Sequence, residues 1–250
     1  MPDRSATVRA ALRDLVVANR ILGREGVVDA FGHISIRHPE NRGRYFLARS
    51  RSPELVVEDD LIEFDLDSNA IDRDNRVPYA ERYIHGAIYK ARGEVMSVCH
   101  SHAHVLIPFT IVDAPVGAVW VMAASIGEHV PNWDIRDDFP NEKTMLVIND
   151  AIGRSLANAL GEGPACLMRG HGAVIATSDV KRTVLTSIGL MLNADMRTRA
   201  HLLTLGHPGA TVKGLSAAEV ESTRGVLFSP LGTDRAWEYF ATRAGFPPAD

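Results

Sequence analysis

Residues 81–104 read E-R-Y-I-H-G-A-I-Y-K-A-R-G-E-V-M-S-V-C-H-S-H-A-H, and this stretch decides the fold. It opens with helical character, and Glu81 and His85, spaced i and i+4, fall on one helix face. Gly93 breaks the helix, after which the apolar run at 95–99 reads as a buried strand. That strand delivers His100 and His102 at its end. Alternate side chains of an extended chain point the same way, so both imidazoles face one side. Imidazole is a common ligand for Zn²⁺ and other divalent metals, but two ligands seldom complete a site. A third stands in C-L-M-R-G-H-G at 166–172, where glycines flank His171 just after an apolar run. Three histidines with a nearby carboxylate, Glu81, are the inventory of a catalytic metal centre that keeps one coordination position open. His85 is assigned a hydrogen-bonded supporting role beside Glu81.

Composition narrows the field around that stretch. A chain of 250 residues with 46% apolar content can bury a substantial core. A net charge of -4 and a pI near 6.2 give no polyanion-binding surface, so nucleic acid is not an expected partner. No apolar run approaches a membrane span and the N-terminus has no signal-peptide core, so a soluble cytoplasmic protein is expected. Cys99 and Cys166 each sit in an apolar, strand-like run and read as buried inert thiols. Lysine is scarce: Lys90, Lys143, Lys181 and Lys213 are all there are, and none adjoins a proposed histidine ligand. That turns the reading away from Schiff-base chemistry, which needs a buried lysine at the site.

Working outward along the chain, residues 5–22 carry Val8, Leu12, Leu15, Val16 and Ile21 at near-helical spacing, ended near Gly23. Residues 33–37 alternate like a strand, 39–43 form a turn, and 45–47 are the hairpin partner. Residues 61–66 read as another strand and 67–76 as a turn-rich connection. Beyond His102, residues 115–121 read as a strand and 127–140 as a long irregular loop. Residues 149–160 look helical, and strands at 165–168 and 173–176 flank His171. A long helix starts at the cap cluster Thr177-Ser178-Asp179 and runs to about Leu205. Ser216 and Glu219 suit a capping box, and a terminal helix covers 234–243. With no repeat, low-complexity tract or linker, the expectation is one α/β domain over 1–250. Its core spans about 8–205, and 206–250 is a helical extension.

Four motifs, in order, resemble the class II aldolase/adducin head family over roughly residues 8–205. They are Gly32-His33-Ile34-Ser35, the helix with Glu81, His85, Ile88 and Tyr89, His100-Ser101-His102, and Gly170-His171-Gly172. The resemblance implies a three-layer α/β/α fold with a largely antiparallel central sheet. It implies a divalent metal on His100, His102 and His171, with Glu81 as acid/base and occasional ligand. Zinc is the first expectation, with manganese, magnesium, iron or cobalt as alternatives. It further implies a homotetramer whose active sites lie at subunit boundaries.

Two departures from the family's sugar-phosphate aldolases shape the substrate expectation. Those enzymes have Asn at the position of His33, and small hydroxyl residues where this chain has Tyr79-Ala80. Both positions help the family to hold phosphate, so the resemblance points here to a non-phosphorylated carboxylate. His33, Ser35, Ser50 and Arg51 are the candidate substrate contacts, with Arg136 as a further guanidinium able to meet a carboxylate in a two-pronged bond. The Phe-Gly-His-Ile-Ser, Arg-Ser-x-x-Pro-Glu-Leu and Met-Arg-Gly-His-Gly wording is closest to one branch of the family. Its members decarboxylate hydroxy-carboxylated aromatic rings or their ring-opened products.

Decarboxylation and aldol cleavage pose one physical problem. Breaking the carbon–carbon bond leaves an electron pair, which an enolate oxygen on a divalent metal accommodates. The expected mechanism chelates the metal through vicinal substrate oxygens and holds the scissile carboxylate off it with His33 or Arg51. Glu81 or water then returns a proton to carbon, a role that a carboxyl pKa raised by burial would suit. Two further functions share the motifs: an aldolase or epimerase acting on a sugar or hydroxy-keto acid, and a non-catalytic adducin-like binding module. His104 and His129 stand near the site in sequence, whereas His38, His201 and His207 read as surface residues.

Overall fold

The strand expected before His100 forms as β4 (Ser97–Ser101) and lies in the middle of a sheet. The computed structural model describes residues 4–71, 75–112 and 114–247. On one side of β4 lie β1 (His33–Arg37), β2 (Arg44–Ala48) and β3 (Leu61–Asp65). On the other lie β7 (Gly172–Thr177), β6 (Ala165–Met168) and β5 (Asn132–Trp133), so the order is β3-β2-β1-β4-β7-β6-β5. All pairings are antiparallel except β5 with β6. Every residue of β1, β4 and β6 is buried, as a sheet covered on both faces requires.

Two helical layers provide the cover. Helix α1 (Ala6–Arg24) starts where Ser5 Oγ accepts the Val8 N–H, and it buries Val8, Leu12, Leu15 and Leu22 along one stripe. It packs on β1 and on the long helix α6 (Val180–Leu205), which itself lies across β4 and β7. Helices α2 (Tyr83–Ala91) and α5 (Asp150–Leu160) pack on each other and on β4 and β6. The fold is therefore the expected three-layer α/β/α arrangement around a mostly antiparallel sheet. At the C-terminal end, α7 (Ala217–Leu227) starts at the Ser216/Glu219 capping box, and α8 (Pro230–Arg243) packs on α1 and α6. Among the described residues no helix is long and apolar enough to cross a membrane.

Three local expectations are corrected. Residues 115–121 do not form a strand. Their backbone is held instead by Asn193 of α6, which accepts from the Val119 N–H at 2.9 Å and donates to the Val116 and Gly117 carbonyls at 3.2 Å. The region 127–140 is not wholly irregular. Beyond the short helix α3 (Ile107–Ile111), it contributes β5 and the short helix α4 (Ile135–Asp138), anchored by Trp133 Nε1 donating to Ser155 Oγ at 2.8 Å. Helix α8 begins at Pro230, four residues before the expected start, with Ser229 as its cap. Of the turn-rich connection at 67–76, residues 72–74 lie outside the described set.

The register sets the site. His33 pairs directly with His100 across β1 and β4, and Ser35 with Val98, so these four side chains share one face. The turn from β6 to β7 carries His171, with Gly170 at φ 62°. Gly172 brings this turn against β4: a Cβ there would overlap the Ser101 carbonyl oxygen. Gly172→Ala should therefore lower stability by about 1–3 kcal/mol and reduce bound metal, read by thermal melting and elemental analysis. Unchanged melting and metal content would show that the close approach is not needed.

Candidate metal centre

Four side chains from three parts of the sheet's rim converge. His100 comes from the end of β4, His102 from the residues just beyond it, His171 from the β6–β7 turn, and Glu81 from the 3-10 turn Ala80–Arg82. Their candidate ligand atoms all lie within 4.8 Å of one another. His100 Nε2 and His102 Nε2 are 2.8 Å apart, and Glu81 Oε2 lies 3.6 Å from His100 Nε2 and 3.5 Å from His171 Nε2. Tetrahedral zinc with bonds of about 2.0–2.1 Å separates its ligand atoms by about 3.3 Å, so the spacing fits.

Hydrogen bonding on the far side of two rings explains why a cation belongs there. His100 Nδ1 donates to the Ala173 carbonyl at 3.2 Å, and His102 Nδ1 donates to Asp29 Oδ1 at 3.1 Å. A neutral imidazole whose Nδ1 carries the proton has a bare Nε2. Two bare nitrogens therefore face each other at 2.8 Å, a repulsive contact that a shared cation converts into ligation. Burial, and then His100, pushes the His102 pKa down to about 4, so it stays neutral and ligand-competent at ordinary pH. Asp29 also accepts from the Phe31 and Gly32 N–H groups at 2.8 and 3.0 Å, so one turn residue aims the His102 ring.

Glu81 differs from expectation in two ways. It does not share a regular helix with His85: its φ/ψ of -90°, 18° is non-helical, and α2 starts two residues later. The kink turns Glu81 to the histidines, while His85 points at β1. Burial alone raises the Glu81 pKa, but the adjoining His100 and His171 rings outweigh it and leave the carboxyl below its ordinary range. Its Oε1 is fixed by the Val147 N–H at 2.8 Å, leaving Oε2 for the centre.

Beside the cluster opens a cavity of about 310 Å³. Phe31, Tyr79, Ala80 and Leu146 wall it, and His33, Ser50, Glu81 and His102 supply its polar edge. The His33 ring lies 4.5 Å from Tyr79 and 5.2 Å from His100 between centroids. The other candidate contacts are placed elsewhere. Ser35 is wholly buried and meets His85 Nδ1 at 2.6 Å and the Tyr89 hydroxyl at 2.8 Å, behind His33. The Arg51 guanidinium pairs with Asp60 at 2.8 Å, because that buried carboxylate takes both Arg49 and Arg51 as partners. Only the Arg51 carbonyl serves the cavity, by accepting from the Tyr79 hydroxyl. Arg136 pairs with Asp134, and His104 and His129 are exposed. Asp29, Tyr79 as a wall and the Val147 amide were not singled out as site groups from sequence. No spacing marks them, since each is brought in by a turn or a packed loop.

The family description "Class II Aldolase and Adducin N-terminal domain" matches residues 13–197. The decarboxylase tropJ of Talaromyces stipitatus is 31% identical over 199 residues, covering 75% of this chain and 75% of that protein. A 3,4-dihydroxyphthalate decarboxylase of Arthrobacter keyseri is 25% identical over 251 residues, covering 95% of each. Among solved structures, the L-fuculose 1-phosphate aldolase of Glaciozyma antarctica superposes with a TM-score of 0.74 at 21% identity. That match covers 99% of this chain and 97% of the other, and shows a shared fold.

Two expected outcomes follow from the geometry. Asp29→Ala should weaken divalent-metal affinity about 10- to 100-fold, read by competition with a chromophoric chelator; unchanged affinity would remove Asp29 from the centre. The second concerns His85, whose pKa burial, and then His100, pushes down to about 3 against an unfolded value of 6.5. The unfolded chain therefore binds the extra proton first, and this contribution to stability is lost as pH falls from about 6.5 towards 3. For metal-free protein, urea unfolding should lose up to about 1.4 kcal/mol per pH unit from this group in that window. His85→Gln should flatten the slope, and an equal slope in the variant would exclude His85 as its source.

Proposed function

The chain belongs to the class II aldolase and adducin N-terminal domain family, and on that footing we propose that it is a metal-dependent carbon–carbon lyase. Its substrate is a non-phosphorylated hydroxy or aromatic carboxylic acid, or a ring-opened product of one, from which it removes CO₂. The observation that carries this choice is the lining of the cavity. Phe31, Tyr79 and Leu146 offer apolar and aromatic walls, His33 offers an imidazole, and among the described residues no lysine or arginine side chain lines the cavity. A phosphate dianion is met by cationic forks or several backbone N–H groups, whereas a planar acid is held by apolar walls and a few placed donors. The decarboxylases among its relatives support the same choice.

His100, His102 and His171 would hold a divalent metal, with Glu81 completing or bordering the set. Nitrogen and oxygen donors at this spacing suit zinc first. When bound, such an ion supplies Lewis-acid stabilisation of negative charge developing on substrate oxygens. The remaining work belongs to side chains. His33 orients the scissile carboxylate, and Tyr79 and Leu146 flank the carbon skeleton. Glu81 Oε2, ionised and pinned through Oε1, accepts the substrate's hydroxyl proton and passes it to the carbon that has lost CO₂. Solvent then restores the hydroxyl proton, so the reaction consumes one proton overall. Glu81 thus starts as a base rather than as an acid.

A homotetramer with the cavity at a subunit boundary belongs to the same proposal. Phe31 and Leu146, exposed at the cavity rim, are apolar groups that a neighbouring subunit would cover. Sedimentation analysis should then report a tetramer, and a monomer would exclude a shared site.

Purified protein loaded with zinc should release CO₂ from members of a panel of hydroxybenzoic and dihydroxyphthalic acids. His102→Ala should abolish this while keeping the fold. Aldehyde released from a sugar phosphate, with no CO₂ from any acid, would replace the decarboxylase by an aldolase. Absence of metal binding and of any turnover would leave a binding module.

A further inference from the structure

Behind His33 runs one unbranched series of buried contacts, and its proton inventory has a single solution. Tyr89 is buried, and burial raises its pKa, so the phenol keeps its proton. Among the described residues the one acceptor that the phenol meets is Ser35 Oγ, at 2.8 Å, while the Val98 backbone amide faces the phenol oxygen as a donor. The phenol proton therefore goes to Ser35. Ser35 has one proton of its own, and its remaining side-chain contact is His85 Nδ1 at 2.6 Å, so that nitrogen accepts. A neutral His85 then carries its proton on Nε2, which lies 2.8 Å from His33 Nδ1. His33 Nδ1 accepts in turn. The proton of His33 is left on Nε2, which has no partner among the described residues, on a ring that lines the cavity.

Reversing the series would leave the buried Tyr89 hydroxyl without an acceptor, a penalty that disfavours the reverse by about tenfold or more. Burial lowers the His85 pKa, and a second proton on His33 would set two N–H donors against each other across its 2.8 Å contact with His85.

We propose that Tyr89, Ser35 and His85 are positioning residues that lock His33 as its Nε2–H tautomer, making it an uncharged hydrogen-bond donor to a carboxylate oxygen of the substrate. The carboxylate rests on the function proposed above; the tautomer does not. An uncharged donor suits this chemistry. A carboxylate loses its charge as CO₂ departs, so a full ion pair would stabilise the ground state more than the transition state. A neutral N–H fixes the orientation with a smaller penalty of that kind.

The test is a long-range ¹H–¹⁵N spectrum of zinc-loaded, ¹⁵N-histidine-labelled protein, with the His33 signals assigned by their loss in His33→Gln. Wild type and Ser35→Thr, which keeps the hydroxyl, should show a bare Nδ1 and a protonated Nε2. Ser35→Ala should show both tautomers exchanging. Addition of 2-hydroxybenzoate should shift the His33 Nε2–H resonance in wild type. On any acid that the enzyme decarboxylates, Ser35→Ala should lose about tenfold in kcat/KM, chiefly through KM, and Ser35→Thr should stay within about twofold of wild type. A His33 protonated on Nδ1, or a tautomer unmoved by Ser35→Ala, overturns the lock. If Ser35→Ala does not fold, the wild-type and Ser35→Thr spectra still decide the point. A correct tautomer that does not respond to 2-hydroxybenzoate overturns the donor role. An intact lock and response without turnover of any acid would count against the decarboxylase alone.

Discussion

Two bare imidazole nitrogens held 2.8 Å apart are the constraint on which the rest of the site depends. His100 and His102 have committed their other ring protons to Ala173 and Asp29, so neither can turn a donor to its neighbour. Such a contact is tolerable only if the surroundings fix both rings and something positive sits between them. The sheet provides the first condition. His100 lies in a fully buried strand paired on both sides, and its register places His33 opposite and Val174 beside it. The β6–β7 turn provides a third imidazole, brought within reach because Gly172 lets one backbone press on another. Glu81 supplies the compensating negative charge.

Much of this was legible in the sequence because it rests on local rules. Alternation along 95–102 put His100 and His102 on one side, and flanking glycines marked His171 as a turn residue. Helix caps at Asp179 and Ser216 were likewise readable, since a cap is a contact within a few residues. The strand expected at 115–121 failed for the converse reason. Its apolar pattern is real, but Asn193, more than seventy residues away, takes the Val119 N–H and the Val116 and Gly117 carbonyls that a ladder would use. Strand β5 was invisible because two residues show no periodicity.

The site's polar groups divide along the same line. Ser35 and Arg51 lie in or beside motif segments, yet one is spent on His85 and Tyr89 and the other on Asp60. Buried Ser35 and buried Asp60 obey the rule that a buried polar group must be paired, and the partner is set by tertiary packing. Glu81 shows the same effect in its charge. Burial raises a carboxyl pKa, and from sequence that was the only visible influence. The two histidines that reverse the direction come from β4 and from the β6–β7 turn, distant in sequence from each other.

Charge arithmetic ties these observations to the substrate. The ligand histidines enter the centre as neutral donors, His33 and His85 are kept neutral by burial, and Glu81 is ionised. With a divalent ion in place, the ion and its four ligands would carry one net positive charge, which Asp29 beside His102 offsets further, and among the described residues lining the cavity there is no cationic side chain to add. A phosphate concentrates two negative charges on one group in a partly buried space, at a cost the few donors there would not offset, whereas each carboxylate places only one. Arg49 and Arg51 cannot make up the difference, because Asp60 already holds both. On the proposed function, the balance that makes three histidines good ligands thus favours carboxylate groups over a phosphate.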